Sequence, residues 1–450
     1  MDIGVFGQVM PPKLYMQIAL FFPVLNPSLQ PTIINTLSNG LERLAASFPW
    51  LAGDVVKEGS GESNPGTFKV KPLGKIPLVV KYLQDTASES MPTMDALRKA
   101  NFPFSMLDEN IICPRNTLPS PDASASETAP VFLVQATFIA GGLILSFLGQ
   151  HNTMDMTGHG QVIDFFSKAC HDEPFTNDEL EAGNLPRQDL IPLLDDTYTS
   201  GSELSYRIMN PTPPSESPTP PPKSTWSYFT FSPASLTTLK SLATKSMMLS
   251  SGYISTDDTL SSFIWQSVTR ARLPRLNSTS NSTFARAVDV RRYLDISPMY
   301  PGLLQNMTYR TFSLQNLVDE PLGGVASHLR AAVDPKTSSL KYDTCALATF
   351  FHRSDPLKKF IISLRSTIEP SSDIMLSSWA KLNCYSLDFN LGLGKPESVR
   401  RPRFTPFESL MYLMPKARDG EIAVAICLRN EDMERLRADE EFAGYARYVG

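Results

Sequence analysis

A histidine and an aspartate four residues apart carry the clearest chemical signal in this chain. His151 and Asp155 bound the segment His-Asn-Thr-Met-Asp. A neutral imidazole is the side chain best suited to take a proton near pH 7, so His151 is a candidate general base. A lone histidine at the end of a strand is more often a structural residue, and at this point that alternative stays open.

A metal site is the second interpretation of the same segment. His151, Asp155 and His159 share a spacing of four residues, which zinc ligands use on helices. However, Gly158 and Gly160 disfavour a continuous helix here, and neither a cysteine cluster nor a fourth ligand is evident. We therefore expect no metal.

The elements around His151 follow from hydrophobic patterning. Two apolar runs, 131–140 and 143–148, flank Gly141 and Gly142 and predict a tight hairpin of buried strands. From residue 161 to residue 170, apolar residues recur at spacings of three and four, which predicts a helix. His151 would thus lie between a strand end and a helix, where α/β proteins place their chemistry.

Composition excludes several classes of protein. The 450 residues allow two or three domains, and 41 basic against 46 acidic residues leave a net charge of −5, which suggests no nucleic-acid partner. The five scattered cysteines suit free thiols in a reducing compartment. With no signal peptide and no apolar run long enough to span a bilayer, we expect a cytoplasmic protein without a membrane partner.

A proline-rich segment divides the chain. Residues 210–224 contain seven prolines in fifteen positions, typical of an extended spacer. We therefore predict an N-terminal domain at 1–205, a crossover linker at 206–224 and a C-terminal domain at 225–450. Strands and helices alternate in both halves, which predicts an α/β fold with one site between them.

The second half is predicted from the same patterns. A helix capped at Ser255 runs to Arg272, and a strand at 284–290 leads to Arg291. Further strands are predicted near 345–351, 382–387 and 422–428, and a terminal helix is predicted from 431 to about 449.

Four motifs then occur in a fixed order. H-x-x-x-D is followed by Ser-Ser-Phe-Ile-Trp at 261–265, Ala-Val-Asp-Val-Arg at 287–291 and Asp-Phe-Asn-Leu-Gly at 388–392. This order resembles the BAHD-type CoA-dependent acyltransferases, whose marks are H-x-x-x-D and D-F-G-W-G. Over nearly the whole chain the sequence also resembles the fungal trichothecene 3-O-acetyltransferases, most clearly at 108–118, 300–309, 375–381 and 408–416.

The resemblance implies both fold and activity. It implies two chloramphenicol-acetyltransferase-like domains with the active site between them, acetyl-CoA as co-substrate and the C-3 hydroxyl of a trichothecene as acceptor. We further expect a monomer in which His151 is the general base and no covalent acyl-enzyme forms. The absence of a G-x-S-x-G motif suits direct transfer.

The resemblance also assigns supporting residues. Asp155 is expected to turn away from His151 and pair with Arg291 of the other domain, and Asp388 is expected to be structural. Ser377, Trp379 or nearby backbone N–H groups are candidates to stabilise the oxyanion.

Candidate CoA contacts are Ser255, Asp257, Lys395 and Arg401, although a solvated basic loop is an equal alternative for the last two. Asn390 departs from the family glycine, and we expect it to adopt a left-handed conformation, which asparagine tolerates.

Three other functions remain as alternatives. The first is acetylation of another fungal alcohol or amine. The second is non-catalytic binding of a hydrophobic metabolite, with His151 merely structural. The third is hydrolysis by His151 alone, for which the sequence has no nucleophile motif.

Overall fold

The computed structural model describes residues 1–61, 64–84, 91–119, 127–207, 222–248, 252–354 and 368–450. Most of the predicted crossover linker therefore lies outside the described residues. The strands are β1 Tyr15–Pro23, β2 Gly53–Gly61, β3 Asn64–Pro72, β4 Leu78–Leu83, β5 Phe132–Ile139, β6 Gly142–Gln150, β7 Ser224–Phe231, β8 Asn281–Asp289, β9 Gln305–Ser313, β10 Ile374–Ser378, β11 Ser398–Arg400, β12 Leu410–Leu413, β13 Ile422–Arg429 and β14 Ala446–Tyr448. The helices are α1 Gln30–Ser47, α2 Met94–Lys99, α3 Glu109–Ile112, α4 Met156–Cys170, α5 Asn177–Gly183, α6 Pro233–Lys245, α7 Thr256–Arg272, α8 Leu314–Asp319, α9 Leu322–Ala331, α10 Leu340–Arg353, α11 Asn430–Ala438 and α12 Glu440–Tyr445.

The first sheet positions His151. Its strand order is β11-β1-β6-β5-β4. Strands β5 and β6 form the predicted antiparallel hairpin, with Gly141 at φ +78° in its turn. Strand β1 pairs along all of β6, so that Tyr15 lies opposite Gln150, the residue before His151. Every residue of β6 is buried, which explains its continuous apolar run.

The second sheet is built from the second half of the chain. Its strand order is β14-β7-β13-β12-β10-β8-β9. Strand β10 pairs in parallel with both β8 and β12. Strand β8 leads into Arg291, and β10 ends directly before Trp379.

The two halves share structure beyond a single contact. Strand β11 belongs to the second half by sequence, yet it pairs antiparallel with β1, so that Arg400 lies opposite Ala19. One hydrophobic cluster contains side chains from both sheets, and in it Phe104 stacks on Tyr228 with ring centroids 4.0 Å apart. The fold is α/β, as predicted, and the domain boundary at 206–224 stays a prediction.

Helix α4 begins earlier than the predicted residue 161. It starts at Met156 and continues through both glycines, because the Asp155 carboxylate caps it by accepting a hydrogen bond from Gly158 N at 2.8 Å. A Cβ atom at Gly158 would lie 2.0 Å from the Pro301 carbonyl oxygen. The glycine therefore permits close packing inside the helix and does not end it.

Three other predicted elements were wrong. Residues 345–351 lie in helix α10, in which residues 344–349 are all buried, and this unbroken run hides the helical period. Residues 382–387 form a loop with a 3₁₀ turn at Cys384–Ser386. The terminal helix is interrupted at Asp439, which caps α12, and the chain then returns to the sheet as β14.

Two further observations bear on the environment of the protein. Among the described residues, no helix is long and apolar enough to cross a membrane. All five cysteines fall within the described ranges, and each is a buried free thiol.

Candidate active site

His151 lies in the turn directly after β6. Its backbone N–H donates to the Leu14 carbonyl at 2.8 Å, which fixes the turn against the start of β1. Its Nδ1 lies 3.1 Å from the Met154 carbonyl oxygen. Because a carbonyl can only accept, this contact assigns the proton of the neutral ring to Nδ1 and leaves the lone pair on Nε2. The residue is half-buried, and Nε2 is the ring nitrogen left to accept a proton from a substrate.

The surroundings keep the His151 ring neutral. Burial lowers its pKa below the usual value, and the Met154 carbonyl and Asp155 only partly offset this effect. The positive charge of Arg401 lowers the same pKa further, because it disfavours the protonated ring. Burial also lowers the pKa of His159 to about 3. Within the described residues, no three His, Cys, Asp or Glu side chains converge on a common metal position.

The Asp155 carboxylate accepts hydrogen bonds from its own segment and from the second half of the chain. Arg291 donates to both of its oxygens, at 3.0 and 3.1 Å. The backbone N–H groups of Gly158 and Leu304 also donate to this carboxylate, at 2.8 and 2.7 Å. The Arg291 and Asp155 side chains are 1% and 2% exposed, so the predicted ion pair is present and buried.

Arg291 uses all of its remaining donors. Nε donates to the Tyr300 carbonyl at 2.8 Å, Nη2 to the Gly302 carbonyl at 2.6 Å and Nη1 to the Asp289 carboxylate at 2.8 Å. Sequence reasoning missed Asp289, although the Asp-x-Arg spacing at 289–291 could have indicated it. The guanidinium thus holds the H-x-x-x-D segment and residues 300–302 in one arrangement.

The Asp-Phe-Asn-Leu-Gly loop supports the far end of α4. The Asp388 carboxylate accepts from Asn390 N at 2.8 Å, and the Asn390 side chain donates to the Cys170 carbonyl at 3.2 Å. Asn390 has φ 55°, the left-handed conformation that we expected. A helix rises about 1.5 Å per residue, so α4 separates this loop from the His151 turn by roughly 20 Å. This position suits a structural role for Asp388.

The oxyanion candidates lie at the end of β10. The Trp379 indole N–H donates to Ser377 Oγ at 3.1 Å, which occupies the indole donor and leaves the Ser377 hydroxyl proton to be donated elsewhere. The next hydroxyl, Ser378, donates to the Asp257 carboxylate. Of the two candidates, Ser377 is therefore the one whose donor has no acceptor among the described residues.

The four candidate CoA contacts do not form one cluster. Ser255 caps α7 by exchanging hydrogen bonds with Asp258, and Asp257 pairs with Arg286. Lys395 is exposed. The α7 N-terminus is joined to the end of β10 by the bond between Ser378 and Asp257. Arg401 also lies close to an oxyanion candidate, because its guanidinium carbon is 5.7 Å from the Trp379 ring centroid.

Arg401 is a candidate CoA contact for which a solvated loop was the alternative, and its burial rules out the solvated loop. It is 2% exposed, its Nη2 donates to Thr117 Oγ1 at 3.1 Å, and its guanidinium carbon lies 4.1 Å from the Phe404 ring centroid. Thr117 in turn belongs to a buried polar network with Gln17 and Glu109. Sequence reasoning missed this network, although a glutamine inside the apolar strand β1 was a signal.

Sequence comparison agrees with this geometry. Residues 14–170 match the model of the trichothecene 3-O-acetyltransferase-like N-terminal domain, and residues 107–443 match that of the Transferase family. The second match covers more than half of the chain. The chain belongs to the BAHD acyltransferase family.

Several relatives of this BAHD protein match over nearly their full length. It is 50% identical over 453 residues to a trichothecene 3-O-acetyltransferase of Fusarium sporotrichioides, covering 100% of this chain and 97% of that one. It is 57% identical over 452 residues to an O-acetyltransferase of Cryptosporiopsis sp., with the same coverage. The solved structure of the F. sporotrichioides enzyme with coenzyme A and T-2 superposes with a TM-score of 0.91 at 49% identity, covering 100% of this chain and 99% of that one.

The comparisons establish the type of enzyme. The BAHD protein is an acetyl-CoA-dependent O-acetyltransferase of the trichothecene 3-O-acetyltransferase-like type, with acetyl-CoA as co-substrate. Its fold is the two-domain chloramphenicol-acetyltransferase-like arrangement that the family resemblance implies.

Proposed function

We propose that the enzyme acetylates the C-3 hydroxyl of a trichothecene, with His151 as general base and without a covalent acyl-enzyme. The observation that carries the proposal is the contact between His151 Nδ1 and the Met154 carbonyl, which leaves Nε2 as the base. The trichothecene acceptor is supported by the 50% identical relative and by solved relatives in complex with T-2 or deoxynivalenol.

In the proposed reaction, the hydroxyl proton passes through His151 to the CoA sulfur. His151 Nε2 takes the hydroxyl proton as the acceptor oxygen attacks the thioester carbonyl carbon. The Ser377 hydroxyl donates to the developing oxyanion, a contact of a kind worth about 10²–10³ in rate. Collapse breaks the carbon–sulfur bond, and the CoA sulfur takes the proton back from His151.

The cysteines support direct transfer. A thiol needs its thiolate form to be a nucleophile, and such cysteines lie in exposed, electropositive surroundings. In this protein burial raises the pKa of all five thiols, at Cys113, Cys170, Cys345, Cys384 and Cys427. Each thiol is therefore neutral near pH 7 and unsuited to accept an acetyl group.

A different alcohol is the second candidate for the acceptor. The relative that is 57% identical carries only the name O-acetyltransferase, so sequence identity does not single out a trichothecene. The catalytic steps at His151 would be the same for either acceptor.

A panel of acceptors tests the proposal. The enzyme is incubated with acetyl-CoA and deoxynivalenol, with its 3-O-acetylated form and with unrelated secondary alcohols, and free thiol and product mass are followed. We expect one acetyl group to be added to deoxynivalenol and none to the 3-O-acetylated form. Transfer to an unrelated alcohol in preference to deoxynivalenol would establish the second candidate.

We also propose that the enzyme is a cytoplasmic monomer with no nucleic-acid or membrane partner. The five buried free thiols and the net charge of −5 support this setting.

A further inference from the structure

A carboxylate is bonded to the residue next to the candidate oxyanion donor. Ser378 follows Ser377 at the end of β10, and its hydroxyl donates to the Asp257 carboxylate in the first turn of α7. A negative charge so close to a developing oxyanion would oppose its formation unless another group offset it. A role as a CoA contact does not explain why Asp257 is bonded to this strand.

The two serines face opposite sides of the second sheet, because successive side chains of a strand alternate. Leu376 packs in the hydrophobic cluster that contains the apolar side chains of α7, and Ser378 shares that face. Ser377 faces the other side, where its register partner Tyr412 packs against the cluster shared by both halves. That shared cluster also contains Met154, from the turn that carries the base. The Ser377 hydroxyl is therefore on the side of His151, and Asp257 contacts the strand from the opposite side.

Arg286 offsets the charge of Asp257. It lies on β8 in register with Leu376 of β10, and it pairs with Asp257 and with the buried Asp258, the latter at 2.8 Å. Asp258 in turn accepts from the Ser255 backbone N–H at 2.7 Å, which caps α7. These ion pairs join the start of α7, strand β8 and the end of β10. Because its charge is paired, Asp257 can anchor the strand without opposing an oxyanion.

Two further hydrogen bonds hold the same strand end. The Trp379 backbone N–H donates to the Leu413 carbonyl of β12 at 2.7 Å, and the Trp379 indole N–H donates to Ser377 Oγ at 3.1 Å. The first bond fixes the backbone on the β12 side, and the second fixes the hydroxyl oxygen. The bond from Ser378 to Asp257 fixes the strand on the α7 side. Displacing a catalytic group by about 1 Å can cost on the order of 10²-fold in rate, so these restraints matter to catalysis.

We propose that Asp257 is a positioning residue, which acts through Ser378 to hold the Ser377 hydroxyl where the oxyanion forms. This inference rests on the proposed role of Ser377 in acetyl transfer. Asp257 contributes by fixing the end of β10 to the start of α7, and Arg286 contributes by pairing with its charge.

A double-mutant cycle in the single-turnover rate of acetyl transfer tests the inference. The full-length enzyme is used with acetyl-CoA and the alcohol that the acceptor panel identifies, and Tm and CoA binding are measured for each variant. We expect Ser377→Ala to slow transfer about 10²-fold and Ser378→Ala to slow it about tenfold. The double variant should be no slower than Ser377→Ala, because Ser378 acts through the Ser377 hydroxyl. A general loss of structure would slow transfer equally in both backgrounds.

Three other variants complete the test. Ser378→Thr keeps the hydroxyl in a residue that suits a strand, so it should transfer acetyl at close to the wild-type rate. Asp257→Ala removes the acceptor, and it should slow transfer as Ser378→Ala does, again only while the Ser377 hydroxyl is present. Ser339→Ala is the matched control, because Ser339 also donates to an aspartate, Asp343 at 2.5 Å, but it lies at the start of α10, and its loss should leave the rate unchanged.

The inference is overturned if Ser378→Ala transfers acetyl at the wild-type rate, or if it slows transfer by the same factor with and without the Ser377 hydroxyl. A Ser377→Ala enzyme with the wild-type rate would overturn it as well. Failure of the proposed function gives different results: an acceptor other than a trichothecene, or a His151→Ala enzyme that keeps its rate. Neither of these results changes the outcome of the cycle between Ser377 and Ser378.

Discussion

His151 and Asp155 have separate roles, which their spacing in the sequence does not show. A backbone carbonyl, that of Met154, sets the tautomer of the His151 ring, a task for which many enzymes use a carboxylate. Asp155 is thereby left to hold the loop and Arg291. At the scale of residues, the base is positioned by its own turn, and the turn is positioned by the ion pair.

The lowered pKa of His151 predicts the pH dependence of activity. Protonation removes the base, and because burial places its pKa below about 6.5, activity is lost only as the pH falls through that lowered value. We expect kcat/KM to be constant between about pH 7 and 8 and to fall below about 6.5. The measurement is a pH–rate profile with saturating acetyl-CoA, and an acid limb centred at or above pH 7 would contradict this account.

Some individual residues could be predicted from sequence, and others could not. The pairing of Asp155 with Arg291 and the left-handed Asn390 followed from motif resemblance and from side-chain chemistry. The burial of Arg401 did not, because Thr117 and Trp379, which lie against its guanidinium group, come from other segments of the chain. The tautomer of His151 likewise depends on how the turn at 151–154 folds back.

Among the elements, α4 connects the His151 turn to the Asp-Phe-Asn-Leu-Gly loop. Its N-terminus is capped beside His151, and its C-terminus is held by the Asp-Phe-Asn-Leu-Gly loop. Periodicity predicted the body of this helix and the preceding hairpin. It failed at the start of α4, where close packing allowed glycines within a helix. It also failed in α10, where the unbroken buried run at 344–349 hid the helical period.

Gly158 tests the close packing at the start of α4. Gly158→Ala places a methyl group against the Pro301 carbonyl, so we expect it to cost about 1–3 kcal/mol in the free energy of unfolding. Gly444 in α12 is the control, because a Cβ there has no neighbour within 4 Å, and Gly444→Ala should be neutral or stabilise by up to about 1 kcal/mol. Urea unfolding measures both, and equal effects would argue against the steric explanation.

The buried ion pair should couple α4 to the segment after β8. Asp155→Asn keeps a good helix cap. It leaves Asp289, whose side chain is 40% exposed, as the carboxylate that still pairs with Arg291. Because a buried charge then loses its buried partner, we expect a loss of about 3–5 kcal/mol in the free energy of unfolding. Arg291→Gln should cost a similar amount, and the double variant should lose less than the sum of the two by about 1 kcal/mol or more. The measurement is a double-mutant cycle from denaturant unfolding. If the two losses simply add, the residues are not coupled and this scaffold role is wrong.

At the scale of the whole molecule, the two halves form one body around one site. Strand β11 crosses into the first sheet, a shared hydrophobic cluster fills the space between the sheets, and the Asp155–Arg291 pair spans them. Alternating strands and helices predicted the α/β class, but they could not predict this exchange. The reason is that a three-residue strand such as β11 has no periodicity of its own.

The role of His151 as the base for direct transfer from acetyl-CoA is tested by comparing the wild-type enzyme with His151→Ala. Acetyl-CoA-dependent thiol release with deoxynivalenol is measured for the wild-type and His151→Ala proteins, with Tm and CoA binding as controls. We predict unchanged Tm and CoA binding and a loss of about 10²–10⁴-fold in kcat. A His151→Ala enzyme that folds, binds CoA and retains more than about a tenth of the wild-type kcat would show that His151 is not the base.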